Sequence, residues 1–182
     1  EISDLQQHDT QVLHCPSSNL KLGSGIAMVP ELLSHGINVS LGADGAPCNN
    51  NLDAFMEMRL ASLIQKPRLG PTAMPASESF RLATLNGAKA MGLEAEIGSI
   101  EEGKKADLII LDVEQPHCTP FNYEDPVSQI VYSSRASDVL TTIVDGKVLM
   151  KDRNLLTINE AELNPAAKLA QNRVVQRANR WR

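Results

Sequence analysis

Apolar positions along the chain follow two spacings, and their order outlines the architecture. Val12 and Leu13 form the apolar centre of a short strand over Gln11 to His14, and the β-branched run Ile37 to Leu41 forms a second. Between them Ile26, Val29, Leu32 and Leu33 recur at helical spacing and stop at Gly36, a residue suited to a left-handed helix end. Cys15 to Asn19 reads as a loop and Leu20 to Gly25 as a Gly- and Ser-bearing connection. Strand, loop, helix and strand within roughly thirty residues is the size of a βαβ crossover, so the two strands are expected to run parallel. Ahead of them, Ser3 and Gln6 predict a capping box for a short helix reaching His8.

Helical spacing resumes beyond the second strand. Asn50 or Asn51 is the expected cap of a helix with Leu52, Phe55, Met56, Arg59, Leu60 and Leu63 on one face, ended by Pro67. After a loop to Pro75, Ala76 to Met91 predicts one long helix with Phe80, Leu82, Ala83, Leu85, Ala88 and Met91 inward, stopped at Gly92. The character then changes. Ile97 to Ala106 reads as a short strand and a turn, and Ala106 to Asp112 as a buried strand. Pro116, Pro120 and Pro126 make the next segment a loop with one short helix over Pro126 to Ser133. Val139–Val144 and Lys147–Met150, joined by Asp145-Gly146, form a hairpin with a type I′ turn, and Leu155 to Ile158 adds a strand. From Asn159 a last helix puts Leu163, Ala167, Ala170, Val174, Ala178 and Trp181 on one stripe, with Arg173, Arg177 and Arg180 on a solvated face. The composite is an α/β chain: half a barrel joined to a small β domain. Two strands and three helices close no core, so the open edges need either a preceding portion or another copy.

Composition narrows the partners. With 17 basic against 22 acidic residues, a net charge of −5 and 3% aromatics, the chain has neither the charge nor the stacking platforms for nucleic acid or an anionic membrane. A hydrophobic content of 42% over 182 residues supports a real core. Cys15, Cys48 and Cys118 are odd in number and far apart, which points to free thiols in a reducing compartment; with no signal peptide or transmembrane stretch, cytoplasm is the expected location. The chain opens at Glu1, without an initiating Met and already in a helix-like pattern, which suggests a portion of something longer.

The chemistry concentrates in Asn38 to Asn50, where the β-branched run ends in Gly42-Ala43-Asp44-Gly45 and helical spacing returns only at Leu52. A buried strand that delivers one carboxylate to its C-terminal end places it where barrels and open parallel sheets hold ligands. A buried, unpaired carboxylate is costly, so a cation or a hydrogen-bond cluster is expected beside it. Two readings stand together: Asp44 as a metal ligand, or Asp44 as a turn residue, since Asp-Gly is ordinary turn chemistry.

His14-Cys15-Pro16-Ser17-Ser18-Asn19-Leu20-Lys21-Leu22-Gly23-Ser24-Gly25, Gly42 through Asp53 and Glu57-Met58-Arg59-Leu60-Ala61 resemble the C-terminal part of amidohydrolase-superfamily enzymes. The nearest branch is the 5-methylthioadenosine/S-adenosylhomocysteine deaminases, with 5′-deoxyadenosine deaminases and chlorohydrolases as relatives. Gly98 through Leu108 and Val144-Asp145-Gly146-Lys147 resemble the β-sandwich that flanks the barrel in the same family. The resemblance implies a (β/α)8 TIM barrel: residues 1–94 would carry about strands seven and eight with their helices, 95–158 part of the sandwich, and 159–182 the C-terminal helix. It also implies one Zn2+ or Fe2+ held by a His-x-His pair, a further His and an Asp matched by Asp44, the metal activating a water that displaces ammonia from a purine nucleoside. Asp44 would then be both ligand and proton carrier, and homo-oligomers are common in such a family.

The departures are as informative. No His-x-His occurs, and His8, His14, His35 and His117 do not match the other ligands, which would lie outside this chain in a missing N-terminal barrel half. Alone, the chain is expected to be inactive. His14, at the end of its strand, is a candidate for substrate binding or for structural hydrogen bonding, and Cys48 for packing or thiolate ligation. Rival functions are a triazine or free-base deaminase or chlorohydrolase of the same superfamily, and a non-catalytic module that complements another half.

Overall fold

Two separate sheets organise the chain in a computed structural model that describes residues 1–180. β1 (Val12–His14) and β2 (Val39–Leu41) pair in parallel, with Val12 opposite Val39 and His14 opposite Leu41, as the crossover spacing required. α1 (Ile2–Gln7) precedes them, capped at Glu1 without a side-chain bond. The capping box at Ser3 and Gln6 does not form, because Ser3 already lies inside the helix. Between the strands run α2 (Pro16–Leu22) and α3 (Val29–Ser34). α2 replaces the loop expected over Cys15–Asn19. Proline at the first helical position has a suitable φ and no N–H to lose, so Pro16 starts a helix here rather than preventing one. Gly23, left-handed at φ 68°, ends it.

After β2 come α4 (Ala46–Asn49), α5 (Ala54–Leu63) and α6 (Lys66–Leu69). The cap of α5 is Asp53, whose carboxylate accepts from the Phe55 and Met56 amides at 2.8 and 3.2 Å. Asn50 and Asn51 are excluded from that role because Asn50 is left-handed at φ 70° and Asn49 Oδ1 already accepts from the amides of Asn51 and Leu52. Pro67 sits in the first turn of α6 instead of ending α5. The long helix expected over Ala76–Met91 is two, α7 (Ala76–Ala83) and α8 (Leu85–Ala90). They break at Thr84, whose hydroxyl donates back to the Phe80 carbonyl at 2.8 Å.

The second sheet is antiparallel, in the order β3 (Leu108–Leu111), β4 (Val139–Val144), β5 (Lys147–Lys151), β6 (Asn154–Leu155), with α9 (Pro126–Ser133) between β3 and β4. The hairpin turn has φ 49° at Asp145 and 74° at Gly146, the left-handed pair of a type I′ turn. No strand forms over Ile97–Ala106, where Gly98 and Gly103 turn the chain at φ 93° and 89°. β3 is not the buried strand its apolar run predicts: Ile109 and Ile110 are 46% and 49% exposed, because no second layer covers them among the described residues. Of the strand expected over Leu155–Ile158 only Leu155 is in the sheet, paired in β6 together with Asn154. α10 (Glu160–Asn179), capped by Asn159, buries no side chain, so among the described residues its apolar stripe has no docking partner; Trp181 lies outside the described residues.

Two apolar clusters form the core. Val29, Leu32, Ile37, Val39, Ala61, Met74 and Leu82 are buried between the β1–β2 pair and its helices; Phe55, Met58, Ala76 and Val131 are buried among α5, α7 and α9. α9 is fastened to α5 by Ser62 Oγ to the Tyr132 hydroxyl at 2.7 Å and by Arg59 donating to the Tyr132 carbonyl. No helix among the described residues is long and apolar enough to cross a membrane.

Gly98 shows how closely the turn after α8 seats on it. A Cβ there would lie 2.7 Å from Ala88 Cβ and 3.3 Å from Leu85 Cα, at a φ that L-residues avoid. Gly98→Ala is therefore expected to cost about 2–4 kcal/mol, left-handed strain plus overpacking. Gly103→Ala, equally left-handed but facing open space, should lose only the strain part. Thermal melts of the two variants check this, and equal losses would remove the packing argument.

Candidate active site

β2 ends at Leu41, and the chain then turns through Gly42 and Ala43 to present Asp44 beyond the strand's C-terminal end. Asp44 has φ 63°, so neither strand nor helix geometry fixes its direction. Hydrogen bonds do. Ser18, near the start of α2, donates to Asp44 Oδ2 at 2.5 Å, and the Gly45 amide donates to Oδ1 at 2.6 Å. Ser18, then Gly45, with a contribution from the Cys48 thiol, hold the carboxyl below the usual aspartate range, so it stays ionised. The buried setting expected for this carboxylate is not found: Asp44 is exposed, because the two-stranded sheet leaves its rim open to solvent.

Behind the rim lies a buried polar layer. Glu57 on α5 is 1% exposed, and its two oxygens accept from the Ser17 amide at 3.0 Å and from Asn49 Nδ2 at 2.8 Å. The same Asn49 amide group donates to the Ala43 carbonyl at 2.8 Å. Glu57, Asn49 and Ser18 carry no assigned role in the sequence reading, although all three fall in or beside the family-like blocks. The signal was a carboxylate on an apolar helix: the buried face of α5 is Phe55, Glu57, Met58, Ala61 and Ser62, not the stripe through Met56 and Leu63, which are 42% and 37% exposed.

His14 belongs to this layer. Alternation along β1 puts it on the same side as Val12, which packs against the helices, while Leu13 on the other side is 64% exposed. His14 is 2% exposed and neither ring nitrogen has a hydrogen-bond partner. Burial pushes its pKa down from 6.5, partly countered by the Glu57 carboxylate. The folded chain thus holds His14 neutral while the unfolded chain binds a proton below 6.5. Stability from this site is present above that value and falls as pH drops through it. Acid denaturation curves are expected to show this loss in wild type and a smaller one in His14→Gln; identical curves would remove His14 from the balance.

The remaining histidines do not converge on Asp44. His8 and His35 bond through Nδ1 to the carbonyls of Asp4 and Glu31, both at 2.8 Å. His117 Nε2 meets Asp138 Oδ2 at 2.8 Å, with Cys118 Sγ 4.0 Å from the same oxygen. That is the one grouping of three potential metal ligands among the described residues. Asp138 Oδ2 already accepts the Arg135 amide at 2.8 Å, and a cleft of about 360 Å3 beside His117 is lined by Arg59 and Arg135, whose charges oppose a cation. The cluster ties the chain before α9 to the turn before β4. Cys15 and Cys48 stand half-buried near Asp44, the Cys15 thiol pushed up by burial and then by the Asp44 charge, which leaves it a poor thiolate. A carboxylate with two oxygens and about four acceptor sites, two of them used, has capacity for a divalent ion. Asp44 fits as one ligand; the described residues bring no set of further ligands to it.

Comparison with known proteins supplies the context. The amidohydrolase family profile matches residues 1–149. A 5-methylthioadenosine/S-adenosylhomocysteine deaminase of Acetivibrio thermocellus is 49% identical over 173 residues, covering 94% of this chain and 40% of the relative. A 5′-deoxyadenosine deaminase of Methanothermobacter thermautotrophicus is 49% identical over 171 residues, covering 93% and 39%. Among solved structures, an adenosine deaminase of Xanthomonas campestris with bound zinc superposes at a TM-score of 0.91 with 35% identity, covering 96% of this chain and 40% of that one. The chain thus spans about 40% of the length of the curated relatives it matches.

Proposed function

The chain belongs to the amidohydrolase family, and from that premise we propose that it is the C-terminal portion of a metal-dependent hydrolytic deaminase acting on adenine nucleosides. The substrate class is 5-methylthioadenosine, S-adenosylhomocysteine or 5′-deoxyadenosine, the nucleosides in the names of the relatives. β1 and β2 would be the seventh and eighth strands of a (β/α)8 barrel, with residues 1–94 in the barrel, 95–158 in part of a β-sandwich and 159–182 as the C-terminal helix. The observation that carries the reading is Asp44 itself, ionised and aimed by Ser18 and Gly45 from just past the end of a parallel strand.

On this reading Asp44 is both ligand and proton carrier. A divalent ion bound there, Zn2+ or Fe2+, would supply Lewis acidity to water and substrate. The Asp44 carboxylate accepts the proton of the attacking water at an oxygen already oriented by Ser18, and returns it to the departing amino group. Ser18 keeps the carboxylate anionic for the first transfer. His14, buried on the helix side of β1 with both ring nitrogens unpartnered, is the candidate for substrate binding or for structural support of the strand end. The other metal ligands come from a preceding barrel portion, so the 182-residue chain alone is inactive, and its open sheet edge is covered by that portion. Homo-oligomers in the cytoplasm complete the proposal.

The test is ammonia release by the protein at its full encoded length from the three nucleosides, beside guanine and a chlorotriazine. Turnover of the nucleosides with a stoichiometric metal supports the reading. Turnover confined to the triazine or the free base replaces the substrate class, and no turnover in a folded, metal-replete protein overturns deamination.

A further inference from the structure

Glu57 is a fully buried charge that the proposed chemistry leaves without a task. Burying an ion is unfavourable unless directed partners satisfy it, and its two partners are the very elements that grip Asp44. Through Oε2 it holds the Ser17 amide in the first turn of α2, next to Ser18, whose hydroxyl bonds Asp44 Oδ2. Through Oε1 it holds Asn49 at the end of α4, and Asn49 in turn holds the Ala43 carbonyl, one residue before Asp44. The contacts close a ring: Asp44, Ser18, Ser17, Glu57, Asn49, Ala43 and back to Asp44.

From this ring we infer that Glu57 is a positioning residue that fixes the direction of the Asp44 carboxylate by clamping α2 and α4 on either side of it. The inference rests on the reading of Asp44 as a metal ligand. Residues 42–45 belong to no strand or helix, so no regular backbone pattern fixes the direction of the Asp44 side chain at its φ of 63°, and hydrogen bonds must do so. The Gly45 bond is local and moves with the loop, and the Gly42 amide ties only the loop's start to the His14 carbonyl, at 2.8 Å; the side-chain arms through Ser18 and Asn49 flank Asp44 itself, and both lead to Glu57. Metal ligands held this way typically depend on their outer partners.

The experiment is Zn2+ titration of the chelator-stripped protein at its full encoded length, by calorimetry, with kcat and KM alongside. Glu57→Gln keeps shape and one acceptor but turns an amide group toward one of the two donors. It should weaken Zn2+ binding by about 10–100-fold and lower kcat while KM stays within about twofold. Ser18→Ala should weaken binding less, and the double variant should be no weaker than Glu57→Gln within about twofold, since both act through one path. Independent, multiplying losses would overturn the inference. So would Glu57→Gln with wild-type affinity while Asp44→Asn loses it, which leaves the Asp44 reading intact. Wild-type affinity in Asp44→Asn overturns that reading and the inference with it. Should Glu57→Gln fail to fold, Asn49→Ala and Ser18→Ala cut the two arms singly, and wild-type affinity in both would overturn the clamp.

Discussion

Asp44→Asn is expected to yield a protein that folds and melts like the parent, no longer retains zinc through dialysis and releases ammonia about 10²–10⁴-fold more slowly. The side chain is exposed and makes no apolar contact that the fold depends on, so replacing it with its isostere leaves the core untouched. The asparagine carbonyl can still accept the Gly45 amide, and the Ser18 hydroxyl can rotate to accept from the new amide group. Shape and position are therefore kept while the negative charge and the proton-accepting oxygen are lost. A variant at full encoded length that keeps its zinc and more than a tenth of its turnover would show that Asp44 is a turn residue. A parallel melt guards against unfolding as the cause.

The sequence made the local pattern of this fold legible where one force acts alone. Alternation and turn chemistry placed the Asp145-Gly146 hairpin, three closely spaced prolines bounded α9, and strand spacing gave the parallel pair. It failed where two local preferences compete. Pro16 reads as a breaker or as a first helical residue, and only the left-handed exit at Gly23 decides for the helix. Asn50, Asn51 and Asp53 are all good caps, and the choice fell to Asp53 once Asn49 had taken the intervening amides. Thr84 broke α7 from α8 by a backbone hydrogen bond that no periodicity reports. At the site, Asp44 stood out because it follows an apolar run. Glu57 did not, because its partners, Ser17 and Asn49, lie 40 and 8 residues away and meet only in three dimensions. The stripe of α10 was legible as a pattern, but a pattern does not say what covers it, and nothing among the described residues does.

Leu82→Ala is expected to be the most destabilising single change in the apolar core, because α7 serves both clusters at once. Leu82, fully buried, faces the cluster that contains Val39 of β2, while Ala76, Phe80 and Ala83 on the same helix pack against Phe55, Met58 and Val131. Truncation removes buried methyl groups and leaves a cavity bounded by strand and helices that are tied elsewhere and can collapse only in part. The expected cost is about 2–5 kcal/mol, and at 182 residues each kcal/mol lowers the melting midpoint by about 2–4 °C. Ile100→Ala, at a side chain 89% exposed, should move the midpoint by less than about 2 °C. If α7 joins the two clusters as its packing indicates, the Leu82 variant melts in one earlier transition, with α9 lost together with β2. Two resolved transitions, one unshifted, would show that the clusters fold independently and that α7 does not couple the rim carrying Asp44 to the second sheet.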